Sequence, residues 1–274
     1  MKVTPRFIRV GAIAGLALLC GCSEVLTVSL HGPEGWAVTM DLTIRSTGHP
    51  DEAWSIDQDL KMSVHYQAVS TLPDGSTVAK GTITGLELKS RSAKPGQEAS
   101  KVEFAWRRGD DPQIITPDEF TWTRTLRDCI DGGIVLTIAP SGWVRSDSAL
   151  FSIFEMPCPF PGVLACLPAA FPAAKVRAGD EWVVEEGAVS MRCKLDHHEG
   201  PIAVVTSRFT VSRTGILCGA ASTGTATLWI DVSAGKPLRA EVTAVCVRSS
   251  GMSAEGEYVR SEIAIKCALQ GGRR

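Results

Sequence analysis

The densest cluster of side chains able to do chemistry is Asp196-His197-His198-Glu199. Imidazole and carboxylate together suit zinc or copper. Adjacent residues on a strand point to opposite faces, so His197 and His198 would not share one ion there. The stretch runs into Gly200-Pro201 between two predicted strands. That context makes it a solvated hairpin turn, and no metal site is assigned. Acyl-transfer machinery is not apparent either. The chain has no Gly-x-Ser-x-Gly, and no motif places a His beside Ser90, Ser92, Ser249 or Ser250. Cys129 lies beside Arg127 and Asp128, without a His to activate it. Asp110-Asp111 and Glu185-Glu186 are carboxylate pairs of the kind found on solvated turns and edges. Gly132-Gly133 lacks the Lys and Ser/Thr of a phosphate loop. No catalytic residue and no cofactor are therefore expected, and a hydrolase is the least favoured reading.

One thiol has a clearer context. Lys2, Arg6 and Arg9 precede an apolar run from Val10 to Leu19. This is the layout of a secretory signal peptide. The run is too short to span a bilayer, which takes about 20 apolar residues. The only Ala-x-Ala match, Ala12-Ile13-Ala14, falls inside the apolar core. Leu19-Cys20-Gly21-Cys22 instead resembles the bacterial lipobox. The resemblance implies diacylglycerol on the Cys22 sulfur, cleavage before Cys22 and acylation of the new amino terminus. It departs from the commonest pattern at Cys20. Two or three acyl chains anchor a protein stably where one is marginal. Ser23 follows Cys22, and by resemblance to lipoprotein sorting rules this favours the outer membrane in a cell that has one.

Removing residues 1–21 leaves 25 of the 28 basic residues against 30 acidic ones, a net charge near −5. No run of Lys and Arg is longer than two. A phosphate-tracking surface needs more, so nucleic acid is not an expected partner. Seven cysteines follow Cys22: Cys129, Cys158, Cys166, Cys193, Cys218, Cys246 and Cys267. An exported chain meets an oxidising compartment. An odd count leaves at least one thiol without a partner in the chain. The spacings fit neither a zinc ribbon nor a thioredoxin-like motif. Cys158 and Cys166 form the most credible disulfide, because Pro157, Pro159, Pro161 and Gly162 make a loop around them. Cys193, Cys246 and Cys267 fall on apolar phases of predicted strands, as buried thiols do.

Period-2 alternation predicts strands nearly throughout. Trp36 to Arg45, Met62 to Ala68, Lys101 to Arg107, Phe120 to Thr123 and Ile134 to Ile138 carry it in the first half. Val189 to Leu195, Thr225 to Val232, Leu238 to Cys246 and Ile263 to Leu269 carry it in the second. One dry and one wet face per strand is the habit of antiparallel sheets. Turn signals sit at Pro73-Asp74-Gly75, Asp131-Gly132-Gly133, Pro140-Ser141-Gly142 and 233–237. Helix is scarce, with one short candidate over 148–154. The fold class predicted is mainly β, a strongly curved antiparallel sheet or partial barrel.

Residues ~133–247 carry a run of turn and strand signatures. They include Gly133 to Val144, Phe171-Pro172, Val176 to Trp182 and Thr225 to Leu238. The run resembles exported β-rich bacterial proteins of unknown function, many of them similar to lipoproteins, with curved sheets like those of lipoprotein carriers. The resemblance transfers no catalytic residue. The organisation expected is a signal peptide over 1–21, a tether over 22–35 and a first β-rich half over 36–154. A Pro-rich connector over 155–178 and a second β-rich half over 179–270 follow. Trp36, Trp106, Trp122 and Trp182 lie mostly on apolar phases, as core residues or as the lining of a hydrophobic groove. The leading expectation is a membrane-anchored envelope protein whose concave apolar face binds a lipid or other hydrophobic molecule. The other is a lipoprotein presenting loops or sheet edges to an envelope protein. A metabolic fatty-acid label should mark the wild type and be absent from Cys22→Ala; equal labelling of both would remove the lipid anchor.

Overall fold

The computed structural model describes residues 25–26, 28, 35–48, 54–110, 130–146, 165–212, 220–249 and 258–270. Twelve strands run through them: β1 (Trp36–Thr47), β2 (Ser55–Thr71), β3 (Thr77–Ala93), β4 (Ser100–Arg107), β5 (Ile134–Ile138), β6 (Val144–Ser146), β7 (Glu181–Glu186), β8 (Val189–Glu199), β9 (Ile202–Val211), β10 (Ala220–Asp231), β11 (Lys236–Ser249) and β12 (Tyr258–Gln270). All belong to one antiparallel sheet in the order β6-β5-β3-β2-β1-β12-β11-β10-β9-β8-β7. Strand β4 shares an edge of β3 with β5. Gly85–Ser92 pair with β4, and Thr77–Gly81 pair with β5. The two β-rich halves are parts of this one sheet, joined where β1 pairs with β12 along Ala37–Thr47.

The alternation that predicts the strands also divides the faces. Trp36, Val38, Met40, Leu42 and Ile44 of β1 are buried, while Asp41 and Arg45 are exposed. The pattern recurs in β2 with Leu60, Met62, Val64 and Tyr66, and in β8 with Val189, Met191, Cys193 and Leu195. Each fully buried aliphatic side chain contributes about 1.5–3 kcal/mol relative to its exposed state. The buried face holds one continuous apolar core.

The sheet curls far enough that its two end strands meet. Arg145 on β6 donates from Nε to Glu186 Oε1 on β7 at 2.9 Å, and its Nη2 also contacts that oxygen. No backbone ladder joins β6 to β7 among the described residues, so the barrel is open along a seam. Register shifts at Ser63/Val64, Ala68/Ser70, Leu195/His197 and Trp229/Ile230 bend the long strands. Two bare glycines let the sheet approach its own rings. The Tyr66 ring lies over Gly81 directly across β2 and β3, and the Phe209 ring lies over Gly224 directly across β9 and β10. Such aromatic cover fills the gap a strand glycine leaves.

Hairpin turns form at Pro73-Asp74-Gly75, Pro140-Ser141-Gly142 and 233–237, whereas Asp131 and Gly132 close a short helical turn that leads into β5. Leu72 to Ser76 joins β2 to β3, with Ser76 N–H donating to Asp74 Oδ1 at 2.9 Å. That bond holds the Asp74 carboxyl below its ordinary range. Strand β3 shows no clear alternation in the sequence, yet it is 17 residues long. The helix candidate at 148–154 and the strand at Phe120 to Thr123 lie outside the described residues.

Gly224→Ala should lower stability by about 1–3 kcal/mol. Its methyl group would overlap both the Phe209 ring and the Thr243 carbonyl oxygen, and the latter belongs to the backbone. Gly132→Ala, with open space around it, should stay within about 0.5 kcal/mol. Urea midpoints of the two variants check this.

Candidate functional site

The Pro-rich connector is not a surface loop over its described part. Ala165 to Phe171 are all buried against the dry face of the sheet. Four elements hold this strap. Leu269 of β12 gives its backbone N–H to the Cys166 thiol, and Ala170 gives its own to the Cys193 thiol of β8. The Ala170 carbonyl accepts from Trp182 Nε1 of β7 at 2.8 Å. Phe171 N–H donates to Ser141 O in the β5–β6 turn at 2.6 Å. The Phe171 ring also packs over Gly142, whose φ of 81° suits that turn. The strap therefore reaches both edges of the open sheet. Cys166 sits at φ 59°, a backbone region that costs a residue with a Cβ about 1–3 kcal/mol and persists only when its surroundings hold it.

Cys166, Cys193, Cys246 and Cys267 are all buried. Burial pushes Cys166 and Cys193 up to about 12, with the backbone donors opposing part of that rise. They are neutral thiols packing as small hydrophobes. Cys158, the expected disulfide partner of Cys166, lies outside the described residues, as does the lipid-attachment residue Cys22.

Trp36 and Trp106 both lie buried in the one core on the dry face. Trp36 stacks on Tyr66, its cross-strand neighbour, with ring centroids 5.3 Å apart and planes at 19°. Trp106 is opposite Leu86 on β3. Trp182 is half-buried and bound to the strap. Trp122 lies outside the described residues. The dry face also carries Tyr66 and Ser207, to which the sequence assigns no site role. Among the described residues Trp36 Nε1, Tyr66 Oη, Trp106 Nε1 and Ser207 Oγ on this face, and Trp229 Nε1 on the other, are buried without a hydrogen-bond partner. Burial, and then Cys267 nearby, raise the Tyr66 hydroxyl far above its ordinary range, so it stays a neutral donor. The other buried polar residues of the described set are Ser76, Thr77 and Ser222. No charged side chain among the described residues is buried. The wall thus offers donors and apolar surface, without fixed charge.

The Asp196-His197-His198-Glu199 cluster sits at the exposed end of β8, running into Gly200-Pro201. His197 Nδ1 lies 3.2 Å from Asp196 Oδ2, and its Nε2 lies 3.3 Å from Glu199 Oε1. The hydrogen bond to Asp196, then that to Glu199, raise the His197 pKa. A bulge between Leu195 and His197 allows this gathering. Among the described residues no group of three His, Cys, Asp or Glu is arranged to hold a metal ion. On the wet face, Arg239 lies 3.8 Å over the Trp229 ring. A groove of about 680 Å³ crosses β9 to β12 and β1 there, past Arg45, Arg208 and a row of threonines.

No family model matches the chain, and no curated protein matches it. Among solved structures it is similar to an S-type phycobiliprotein lyase, CPES, from Guillardia theta. The two share 7% sequence identity at a TM-score of 0.25, over 86% of this chain and 88% of that one. A likeness at that level carries no conclusion about what this chain does.

Proposed function

We propose that the protein is an envelope lipoprotein, anchored through Cys22, that holds a lipid or similar hydrophobic molecule between the dry face of its sheet and the 165–176 strap. The observation that carries the reading is the set of donors without partners on an apolar wall: Trp36 Nε1, Tyr66 Oη, Trp106 Nε1 and Ser207 Oγ. A buried polar group without a partner costs about 1–3 kcal/mol, and sealed structural cores contain few of them. A surface that meets a ligand bearing carbonyl or ether oxygens has a use for them. The dry face is covered in this conformation, so binding requires the strap to give way. Its hold on β7, β8, β12 and the β5–β6 turn is a few hydrogen bonds and small apolar residues.

Docking of a partner along the sheet edges has less support. Edge strand β7 alternates outward Glu181, Val183 and Glu185 with inward Trp182 and Val184. Edge strand β4 presents Lys101, Glu103 and Arg107. Charged edge residues are how natural sheets discourage pairing with another chain.

The chain from Ser23 onward, purified without detergent, should carry a solvent-extractable lipid by native mass spectrometry. Tyr66→Phe should lose part of that lipid. It should also leave the stripped protein as stable as the wild type or about 1 kcal/mol more stable, because it removes an unsatisfied hydroxyl. A bare mass for the wild type, with added lipid failing to bind, would sink the proposal.

A further inference from the structure

We infer that the hydrophobic molecule enters and leaves sideways, through the seam between β6 and β7, and that Ala170-Phe171 is the plug in that seam. This rests on the ligand-holding reading above and adds the route. The middle of the wall is stitched by long backbone ladders, and toward its ends the shorter β3–β5, β5–β6 and β7–β8 pairings are still backbone ladders. Strands β1 and β12 pair over 11 residues, Ala37 to Thr47, and β2 pairs with β3 from Ser55 to Thr71. Opening such a ladder breaks many hydrogen bonds at once. At the seam no ladder exists among the described residues, and the end strand β6 has only 3 residues. The edges are joined by the Arg145–Glu186 pair.

That pair is solvent-facing, with the Arg145 side chain 73% exposed. Exposed pairs hold weakly and yield to salt. Behind it, two adjacent residues of the strap bond to opposite edges. Ala170 binds Trp182 and Cys193 on β7 and β8, and Phe171 binds Ser141 beside β6. The dipeptide thus lies against the inner side of the seam, bonded to both of its flanks. Withdrawing it breaks three hydrogen bonds and leaves the sheet itself intact. The exposed ion pair is then the latch, and the strap is the stopper.

The test is release kinetics with full-length protein held in amphipol and loaded with a dansyl-labelled diacylglycerol. Energy transfer from tryptophan reports bound probe, and excess phosphatidylcholine vesicles take up what is released. Glu186→Arg sets two like charges across the seam and should speed release about threefold to tenfold. Glu186→Gln should do so by about twofold. The swap Arg145→Glu/Glu186→Arg should restore release to within about twofold of wild type. Salt at 1 M should bring the wild type and Glu186→Arg together, because screening weakens attraction and repulsion alike. Variants that load normally and release at the wild-type rate would overturn the seam while leaving the ligand-holding reading in place. Acceleration that the charge swap does not reverse would also overturn it, because the effect would then be damage to the strand. Failure of the wild type to load would overturn both readings.

Discussion

Everything in this molecule follows from a sheet that is oily on one side and wet on the other. A flat sheet of that kind would leave its apolar face in water. Curling brings the inward side chains of distant strands together and gives them a common core. The bulges at Val69 of β2, Thr84 of β3, Asp196 of β8 and Leu238 of β11 and the bare glycines at 81 and 224 serve that bend. In both glycine positions an aromatic ring from the facing strand supplies the bulk that the glycine lacks.

The curl stops short of closure, and the chain finishes the job with a segment that is not a strand. Pro168 and Pro172 keep the strap from joining a ladder. Small residues at 165, 169 and 170 let it lie close against the sheet. Its polar backbone still needs partners in an apolar setting. Thiols, an indole carrying N–H and a turn carbonyl supply some of them. Two cysteines that count as small hydrophobes by burial are also acceptors that fix the strap in register.

Much of the sheet was legible from residue order. Trp36 to Ile44, Val189 to Leu195 and Leu238 to Cys246 alternate cleanly, and each is a strand with the expected buried phase. Strand β3 was not, because Gly81, Gly85 and a Ser/Lys-rich second half dilute its pattern. Its strand state comes from pairing with β2 on one side and with β4 and β5 on the other, which is tertiary context. Strand β9 hides its period because Ala203, Val204 and Val205 are all buried in a row. The Asp196 to Glu199 cluster was legible as a solvated end of a hairpin. The strap's inward position was not, since a proline-rich stretch reads as a surface connector. Nor could spacing reveal that Trp36 has Tyr66 as its neighbour, because that contact depends on the β1–β2 register.

The β1–β12 pairing also fixes an order of events. Thr39 donates to the carbonyl of Ala268, 229 residues further along the chain. Neighbouring hairpins such as β2–β3 and β10–β11 can zip as soon as both arms exist. The middle of the sheet cannot, because its two strands are the first and the twelfth of those described, and such distant closures are slow. Until β12 arrives, two half-sheets present bare edges to water on either side of the gap. A nascent chain of this design gains its final shape only once β12 has been made and has found β1.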